Sequence, residues 1–137
     1  MRHWLMKSEP SAYSWDDLVR DGRTSWTGVR NYQAANNLKA MKVGDRAFLY
    51  HSNEGKAIMG AVEIAREAYP DPTDKAGRFV TVDVRPLMPV KSPVTLAAIK
   101  SQPRLKSLAL LRQSRLSVSP VESEEWAILA GMAGLKP

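Results

Sequence analysis

The sequence predicts an α+β fold, a small antiparallel β barrel with helices packed on its outside. Three observations lead to this prediction. Short apolar-alternating segments are joined by turn residues, as in hairpins. Helical segments stand between them without the regular alternation that builds a parallel sheet. The chain has 137 residues, 44% hydrophobic and 25% charged, which is typical of one globular domain. We therefore expect a single domain over residues 1–137.

The N-terminal segment predicts a strand followed by a helix. The strand covers residues 2–7, and Pro10 marks its end because proline cannot extend a central strand. Ser14 is a suitable helix cap, with Asp17 three positions later completing an arrangement like a capping box. The helix is expected to stop just before Gly22.

The next segment predicts a second helix and a hairpin. Residues 23–30 show no regular pattern. Asn31 is a suitable cap for a helix that runs to about Met41. Strands are predicted over residues 46–51 and 57–65, and the polar loop between them suits a hairpin.

Prolines interrupt the predicted regular structure in the second half of the chain. Alternation over residues 79–85 predicts a strand with one buried face. Pro86, Pro89 and Pro93 then predict the end of regular structure. Thr95 is a suitable cap for a short helix over the following residues.

The last third of the chain predicts short elements only. Pro103 ends the preceding helix, and residues 105–111 suit one or two helical turns. Residues 116–118 suit a short strand that Pro120 ends. A C-terminal helix is predicted over 122–129, because its acidic residues fall in the first turn, where the helix dipole favours them.

The chain is basic, and the positive charge is unevenly distributed. Lys and Arg number 20, against 14 Asp and Glu, for a formal charge of +6. The interval between Asp83 and Glu122 contains no acidic residue. It contains seven cations: Arg85, Lys91, Lys100, Arg104, Lys106, Arg112 and Arg115. This interval is either a phosphate-contacting face, with Arg104 and Lys106 among the contacts, or a basic surface that is merely solvated.

Several kinds of site find no support in the sequence. The absence of cysteine excludes disulfides, thiolate metal sites and thiol nucleophiles, and only His3 and His51 could supply imidazole. No glycine-rich phosphate loop and no G-x-S-x-G elbow occurs. We therefore expect no cofactor and no metal. The sequence shows no signal peptide and no apolar stretch long enough to span a bilayer, so we expect a cytoplasmic protein without a membrane partner.

One irregular segment combines aromatic and polar residues just ahead of the second predicted helix. It contains Trp26, Arg30, Asn31 and Tyr32. Aromatic faces stack on nucleobases, and an amide offers both a donor and an acceptor to a base edge. The alternative is that Trp26 and Tyr32 are core residues and that Asn31 is only a helix cap.

Several motifs together resemble the EVE domain family, a branch of the PUA-like superfamily related to the YTH domains. The most specific are Lys7-Ser8-Glu9-Pro10, the segment from Gly28 to Ala34, and Arg115-Leu116-Ser117-Val118, which occur in family order. Further matches, such as Tyr50-His51-Ser52-Asn53, extend the resemblance over essentially the whole chain. Met6 and Ala35 depart from the residues that are frequent in the family.

The resemblance implies a pseudo-barrel that reads a modified base without catalysis. Family relatives are associated with modified cytosines in DNA, and YTH relatives with methylated adenines in RNA. DNA is thus the expected partner and RNA the alternative, and we expect a monomer. The implied nucleobase pocket comprises Ser8, Trp26, Asn31, Tyr32, His51, Ser52 and Ser117. The implied phosphate or base-edge contacts are Lys7, Arg30 and Arg115.

Two other functions remain open on the sequence. The chain could be a small nuclease or hydrolase acting on a nucleotide, with a site built from Lys7, Glu9 and His51. It could instead be a pocket protein that senses a free nucleoside. The basic interval distinguishes the sensor, because a free nucleoside offers no phosphate for those cations to contact.

Overall fold

The computed structural model describes residues 1–135 and shows a six-stranded mixed sheet with helices on both faces. The strands are β1 (His3–Ser8), β2 (Thr24–Ser25), β3 (Arg46–His51), β4 (Ala57–Pro70), β5 (Val80–Thr95) and β6 (Val118–Val121). The helices are α1 (Trp15–Asp21), α2 (Tyr32–Ala40), α3 (Leu96–Lys100), α4 (Ala109–Arg112) and α5 (Ser123–Met132). This architecture confirms the predicted α+β class.

The sheet has the strand order β2-β5-β4-β3-β1-β6. Four of its ladders are antiparallel, and β1 pairs with β3 in parallel. In the parallel ladder Lys7 lies opposite Tyr50, and Ser8 lies opposite His51. Since parallel strands point the same way, β1 and β3 end at the same edge of the sheet.

Each face of the sheet carries its own apolar core, and β1 contributes to both. Trp4 and Met6 enter the core covered by α1 and α2. Leu5, between them, enters the core covered by the C-terminal helices, where Trp126 stacks on Phe48 with ring centroids 3.8 Å apart. This alternation follows from the two-residue period of a strand.

Strand β5 differs from its prediction in length and in burial. It does not end at residue 85 but continues through Pro86, Pro89 and Pro93 to Thr95. The ladder with β4 shifts register beside Pro86 and Pro89, and such irregularities accommodate residues that cannot donate a ladder hydrogen bond. The prediction of one buried face was also wrong, because Thr81 and Asp83 are buried as well as Val82 and Val84.

The short segments at both ends of the sheet were also predicted incompletely. Residues 23–30 contain the two-residue strand β2, which pairs with Val84 and Asp83 of β5. Strand β6 includes Pro120 rather than ending there. It is the last strand in the sheet order, and proline is tolerated on an edge strand.

The predicted helix caps are confirmed. The Ser14 hydroxyl accepts from the Asp17 backbone N–H over 3.1 Å, and the Asp17 carboxylate accepts from the Ser14 backbone N–H over 2.9 Å. Asn31 and Thr95 likewise cap α2 and α3. The predicted helical residues 105–111 are a 3-10 turn over Pro103–Leu105 followed by α4, and the predicted C-terminal helix is α5.

Candidate functional site

The edge where β1 and β3 end carries a cavity of about 340 Å³. The backbone N–H of Ser52 donates to the carbonyl of Ser8 over 3.0 Å and joins the two strand ends. The cavity is lined by Lys7, Ser8, Glu9, Ala12, Tyr13, Thr24, Ser25, Trp26 and Thr27. Its volume is at the small end of the range for ligand sites. We call it the first cavity.

Trp26 forms a wall of the first cavity and also belongs to the core. Its side chain is only 9% exposed and packs in the cluster that contains Trp4. Its backbone N–H donates to the carbonyl of Val82 over 2.8 Å. The two roles considered from the sequence, cavity wall and core residue, are therefore both present in the structure.

A buried carboxylate holds the β2 side of the first cavity in place. Asp83 accepts from the Ser25 hydroxyl over 2.9 Å, from the Arg23 guanidinium over 2.9 Å, and from the Tyr69 hydroxyl. Burial opposes ionisation of Asp83, but the hydrogen bonds from Tyr69, Arg23 and Ser25 outweigh it and lower the pKa of this carboxyl. Asp83 thus stays charged and fixes the position of Ser25.

Lys7 lines the first cavity and also a second one of about 240 Å³. Its backbone N–H donates to the carbonyl of Ser117 over 2.8 Å, and its ammonium donates to the carbonyl of Ser114 over 2.6 Å. Burial lowers the pKa of the Lys7 ammonium. The second cavity is lined by Lys7, Tyr50, Ser52, Asn53, Lys56, Leu96, Leu110 and Ser114.

A third depression lies at the start of α2. It is lined by Asn31, Gln33, Arg112, Gln113, Ser114, Arg115 and Leu116. The side-chain oxygen of Asn31 accepts from the Ala34 backbone N–H over 2.9 Å, so it is engaged as the helix cap. Ser114 lines both the second cavity and this depression.

The structure therefore distributes the predicted nucleobase residues over several places. Ser8 and Trp26 line the first cavity, Ser52 the second, and Asn31 the third depression. The Ser8 hydroxyl donates to the carbonyl of Tyr13 over 2.6 Å. The backbone carbonyl of Ser117 accepts a hydrogen bond from the backbone N–H of Lys7.

His51 and Tyr32 have surroundings that the sequence did not indicate. The Nε2 atom of His51 accepts from the Trp15 backbone N–H over 3.0 Å, so this ring holds the start of α1. Tyr32 lies outside the first cavity, is 62% exposed, and contacts Phe79 with ring centroids 4.9 Å apart.

Arg30 is engaged in an ion pair with a buried carboxylate. Its guanidinium donates to Asp71 over 3.1 Å and to the Thr73 hydroxyl over 2.9 Å. Burial opposes ionisation of Asp71, but hydrogen bonds from Thr73, Gly28 and Arg30 lower the pKa of its carboxyl to about 2. This network ties the segment after Trp26 to the loop before β5.

The basic interval is partly neutralised by acids from other parts of the chain. Arg104 donates to Glu124 over 2.6 Å, and Arg85 pairs with Glu63. Lys106 is exposed and follows the 3-10 turn that contains Arg104. The absence of acids along the sequence therefore does not produce a uniformly positive surface.

Sequence reasoning missed most of the cavity lining that comes from β2 and the residues directly after it. Thr24, Ser25 and Thr27 line the first cavity because β2 pairs with β5, a strand about sixty residues later. A two-residue strand carries no periodic signal, so the sequence alone could not indicate this part of the lining. Glu9 was considered only for the enzymatic alternative, yet it lines the same cavity.

Residues 1–135 offer neither a cluster of metal ligands nor a membrane-spanning helix. In that part of the chain, no three His, Cys, Asp or Glu side chains gather as metal ligands would. No helix there combines the length and the apolar character needed to cross a membrane.

Comparison with known proteins places the chain in a family. The model of the EVE domain matches residues 2–132. Human thymocyte nuclear protein 1 is 36% identical over 169 aligned residues, which cover 98% of this chain and 75% of that protein. The NMR structure of Rpa0253 from Rhodopseudomonas palustris is 57% identical, with a TM-score of 0.93 over 98% of this chain and 94% of that one. The crystal structure of human THYN1 in complex with DNA containing 5-methylcytosine is 35% identical, with a TM-score of 0.92 over the full length of both chains. The chain belongs to the EVE domain family.

Proposed function

We propose that this protein is a non-catalytic module that binds DNA carrying a modified cytosine and takes the flipped base into the first cavity. The observation that carries the proposal is the likeness to human THYN1, whose crystal structure contains 5-methylcytosine DNA and aligns over 100% of both chains. The cavity supports it, because it combines an aromatic wall with polar groups. RNA is the alternative partner.

The chemistry of the first cavity suits a cytosine. The indole of Trp26 supplies a face on which a base stacks, worth roughly 1–3 kcal/mol. The carboxylate of Glu9 suits the exocyclic N4 amine of cytosine, since a carboxylate accepts from that donor. Together these contacts offset the few kcal/mol that extruding a base from a duplex costs.

The geometry argues against the enzymatic alternative built from Lys7, Glu9 and His51. The Nε2 atom of His51 is occupied by the Trp15 backbone N–H, and the Lys7 ammonium is bonded to the Ser114 carbonyl. A hydrolytic site needs a base that is free to take a proton from water. His51 is therefore not available as that base, which supports a binding role and leaves only Glu9 of the three residues as a candidate base.

A binding experiment with matched strands tests the proposal. The affinity is measured for duplexes that differ in one position, 5-methylcytosine or cytosine, for the corresponding RNA, and for free 5-methyl-2′-deoxycytidine, each at two salt concentrations. We expect tighter binding of the methylated DNA and weaker binding at high salt. Equal affinity for the two duplexes contradicts the modified-base proposal, and a free nucleoside that binds as tightly as the duplex supports the sensor function instead.

The same samples address the remaining expectations. Mass spectrometry of the oligonucleotides after prolonged incubation should show no change, and any cleavage or loss of the modification would support an enzyme. Light scattering measures the expected monomer. The cytoplasmic location stays a prediction that imaging of a tagged protein tests; the relatives named thymocyte nuclear protein 1 make the nucleus the alternative compartment.

A further inference from the structure

The second cavity shares a wall with the first and differs from it in charge. Lys7 lines both cavities, so the two lie on either side of one lysine near the end of β1. Glu9 is the one acidic residue among those that line the first cavity. The residues that line the second include two lysines, Lys7 and Lys56, and no acid. The charges of the lining residues therefore favour a phosphodiester in the second cavity over the first.

The polar groups of the second cavity also suit an anion. Ser52, Asn53 and Ser114 line it beside the two lysines. Hydroxyl and amide groups of this kind donate to phosphate oxygens in protein–DNA interfaces, together with lysine ammonium groups. The apolar residues Leu96 and Leu110 complete the lining.

Lys7 is held in place before any ligand arrives. The backbone N–H is bonded to the carbonyl of Ser117, and the ammonium is bonded to the carbonyl of Ser114. An ammonium has three N–H donors, so two remain for a ligand. Burial penalises the charged form of Lys7 and lowers its pKa, and a neighbouring anion would relieve that penalty.

We propose that the second cavity binds the phosphate adjacent to the base that occupies the first cavity, with Lys7 and Lys56 as its cationic contacts. The inference rests on the proposed function and assigns it a second subsite. It also gives Ser52 a role different from the one that the sequence predicted, a phosphate contact in place of a nucleobase contact.

A double-substitution cycle between protein and DNA tests the site. A neutral methylphosphonate replaces the phosphate on the 5′ or the 3′ side of 5-methylcytosine, and Lys56→Gln removes the charge of an exposed lysine. If Lys56 contacts that phosphate, each change alone should weaken binding on the order of tenfold. The two together should weaken it about as much as one, because they remove the same contact.

Lys42→Gln is the matched control. Lys42 is an exposed lysine in the turn before β3, whereas Ser52 follows the end of that strand, which is about 20 Å long. Its effect should be small and additive with the methylphosphonate. The outcome that contradicts the site is full additivity. If Lys56→Gln weakens binding by the same factor with and without the methylphosphonate, at the 5′ and at the 3′ position, the proposed site is wrong even when the preference for the methylated duplex stands.

Inorganic phosphate provides a test that does not depend on DNA binding. Titration at constant ionic strength should shift the amide resonances of Lys7, Ser52 and Lys56, and Lys56→Gln should weaken this response severalfold. Phosphate shifts that avoid these residues contradict the site. A response at these residues without any preference for methylated DNA supports the anion site and contradicts the proposed function.

Discussion

The Nε2 atom of His51 accepts a hydrogen bond from the backbone N–H of Trp15 over 3.0 Å. His51 ends β3, and Trp15 is the first residue of α1. The bond therefore joins the sheet to a helix and satisfies one of the N–H groups that a helix start leaves without an internal partner. It requires an unprotonated Nε2, so the ring is neutral with its proton on Nδ1.

The first prediction concerns the pH dependence of stability. Burial lowers the pKa of His51 from its ordinary value of 6.5, although Asp16 partly opposes the shift. The unfolded chain therefore takes up the proton at higher pH than the folded chain does. The stability that depends on neutral His51 is complete above pH 6.5 and is lost as the pH falls through the lowered pKa of the folded protein.

His51→Gln isolates this contribution. A glutamine oxygen can accept the Trp15 N–H without titrating. The free energy of unfolding, measured by denaturant from about pH 8 to about pH 5, should fall less steeply in the variant than in the parent. His3, whose pKa burial also lowers, is present in both proteins and cancels in the difference. Identical slopes would show that His51 does not carry the effect.

The second prediction concerns recognition of the pyrimidine. Thymine shares the 5-methyl group of 5-methylcytosine but presents a carbonyl where cytosine presents an amine. The Glu9 carboxylate should therefore reject thymine in the first cavity. Glu9→Gln, whose amide both donates and accepts, should reduce the preference for 5-methylcytosine over thymine by about 1–3 kcal/mol. Competition binding with matched strands measures this preference, and an unchanged preference removes Glu9 from base recognition.

The third prediction separates the two roles of Trp26. Trp26→Ala should destabilise the fold by about 3–5 kcal/mol, because the ring is buried in the core. Trp26→Leu keeps apolar volume but removes the aromatic face, so affinity for the methylated duplex should fall by about 1–3 kcal/mol. Trp26→Phe should restore most of that affinity. Calorimetry monitors the fold in each variant, and a folded Leu variant that binds like the parent contradicts the stacking role.

The fourth prediction concerns Gly60, which faces the ring of Trp15. A Cβ atom at Gly60 would stand 2.5 Å from two ring carbons of Trp15. That ring is only 6% exposed and has little freedom to move. Gly60→Ala should therefore destabilise the protein by about 1–3 kcal/mol. The matched control is Gly131→Ala in α5, where an added Cβ would meet nothing within 4 Å beyond its chain neighbours and the helix's own backbone; it should be neutral or stabilising by about 0.5–1 kcal/mol. Equal melting temperatures for the two variants would contradict the packing argument.

The fifth prediction distinguishes two parts of the basic interval. Arg112 and Arg115 line the third depression beside Asn31, whereas Arg104 is paired with Glu124. Arg112→Gln with Arg115→Gln should reduce the salt dependence of DNA binding by about one unit for each phosphate interaction that the substitutions remove. Arg104→Gln with Lys106→Gln removes the same formal charge and should change the slope less. A larger change from the second pair would support the phosphate contacts that the sequence predicted at Arg104 and Lys106.

The features predicted well from sequence depend on local chemistry. Ser14, Asn31 and Thr95 cap helices as expected, because a cap needs only residues a few positions apart. The family motifs also indicated Ser8 and Trp26, which meet in the first cavity.

The features that sequence reasoning missed depend on distant partners. The prolines of β5 looked like the end of a strand, because the register shifts that accommodate them involve β4. No local pattern indicates the bond between His51 and Trp15, because the two residues are thirty-six positions apart. The acid-free interval looked uniformly basic, because Glu63 and Glu124 lie outside it in sequence.

The position of β1 in the sheet has a consequence for biosynthesis. This strand lies between β3 and β6, so its two hydrogen-bonding edges are completed at different times. The ribosome delivers β3 early, but β6 emerges last of the six strands. Until then a nascent chain presents one unpaired edge of β1. This strand contains Trp4, Leu5 and Met6, which are fully buried in the folded protein. Such an edge is a template for pairing with another chain, so the interval before β6 emerges is when this protein is most exposed to aggregation and most suited to chaperone binding.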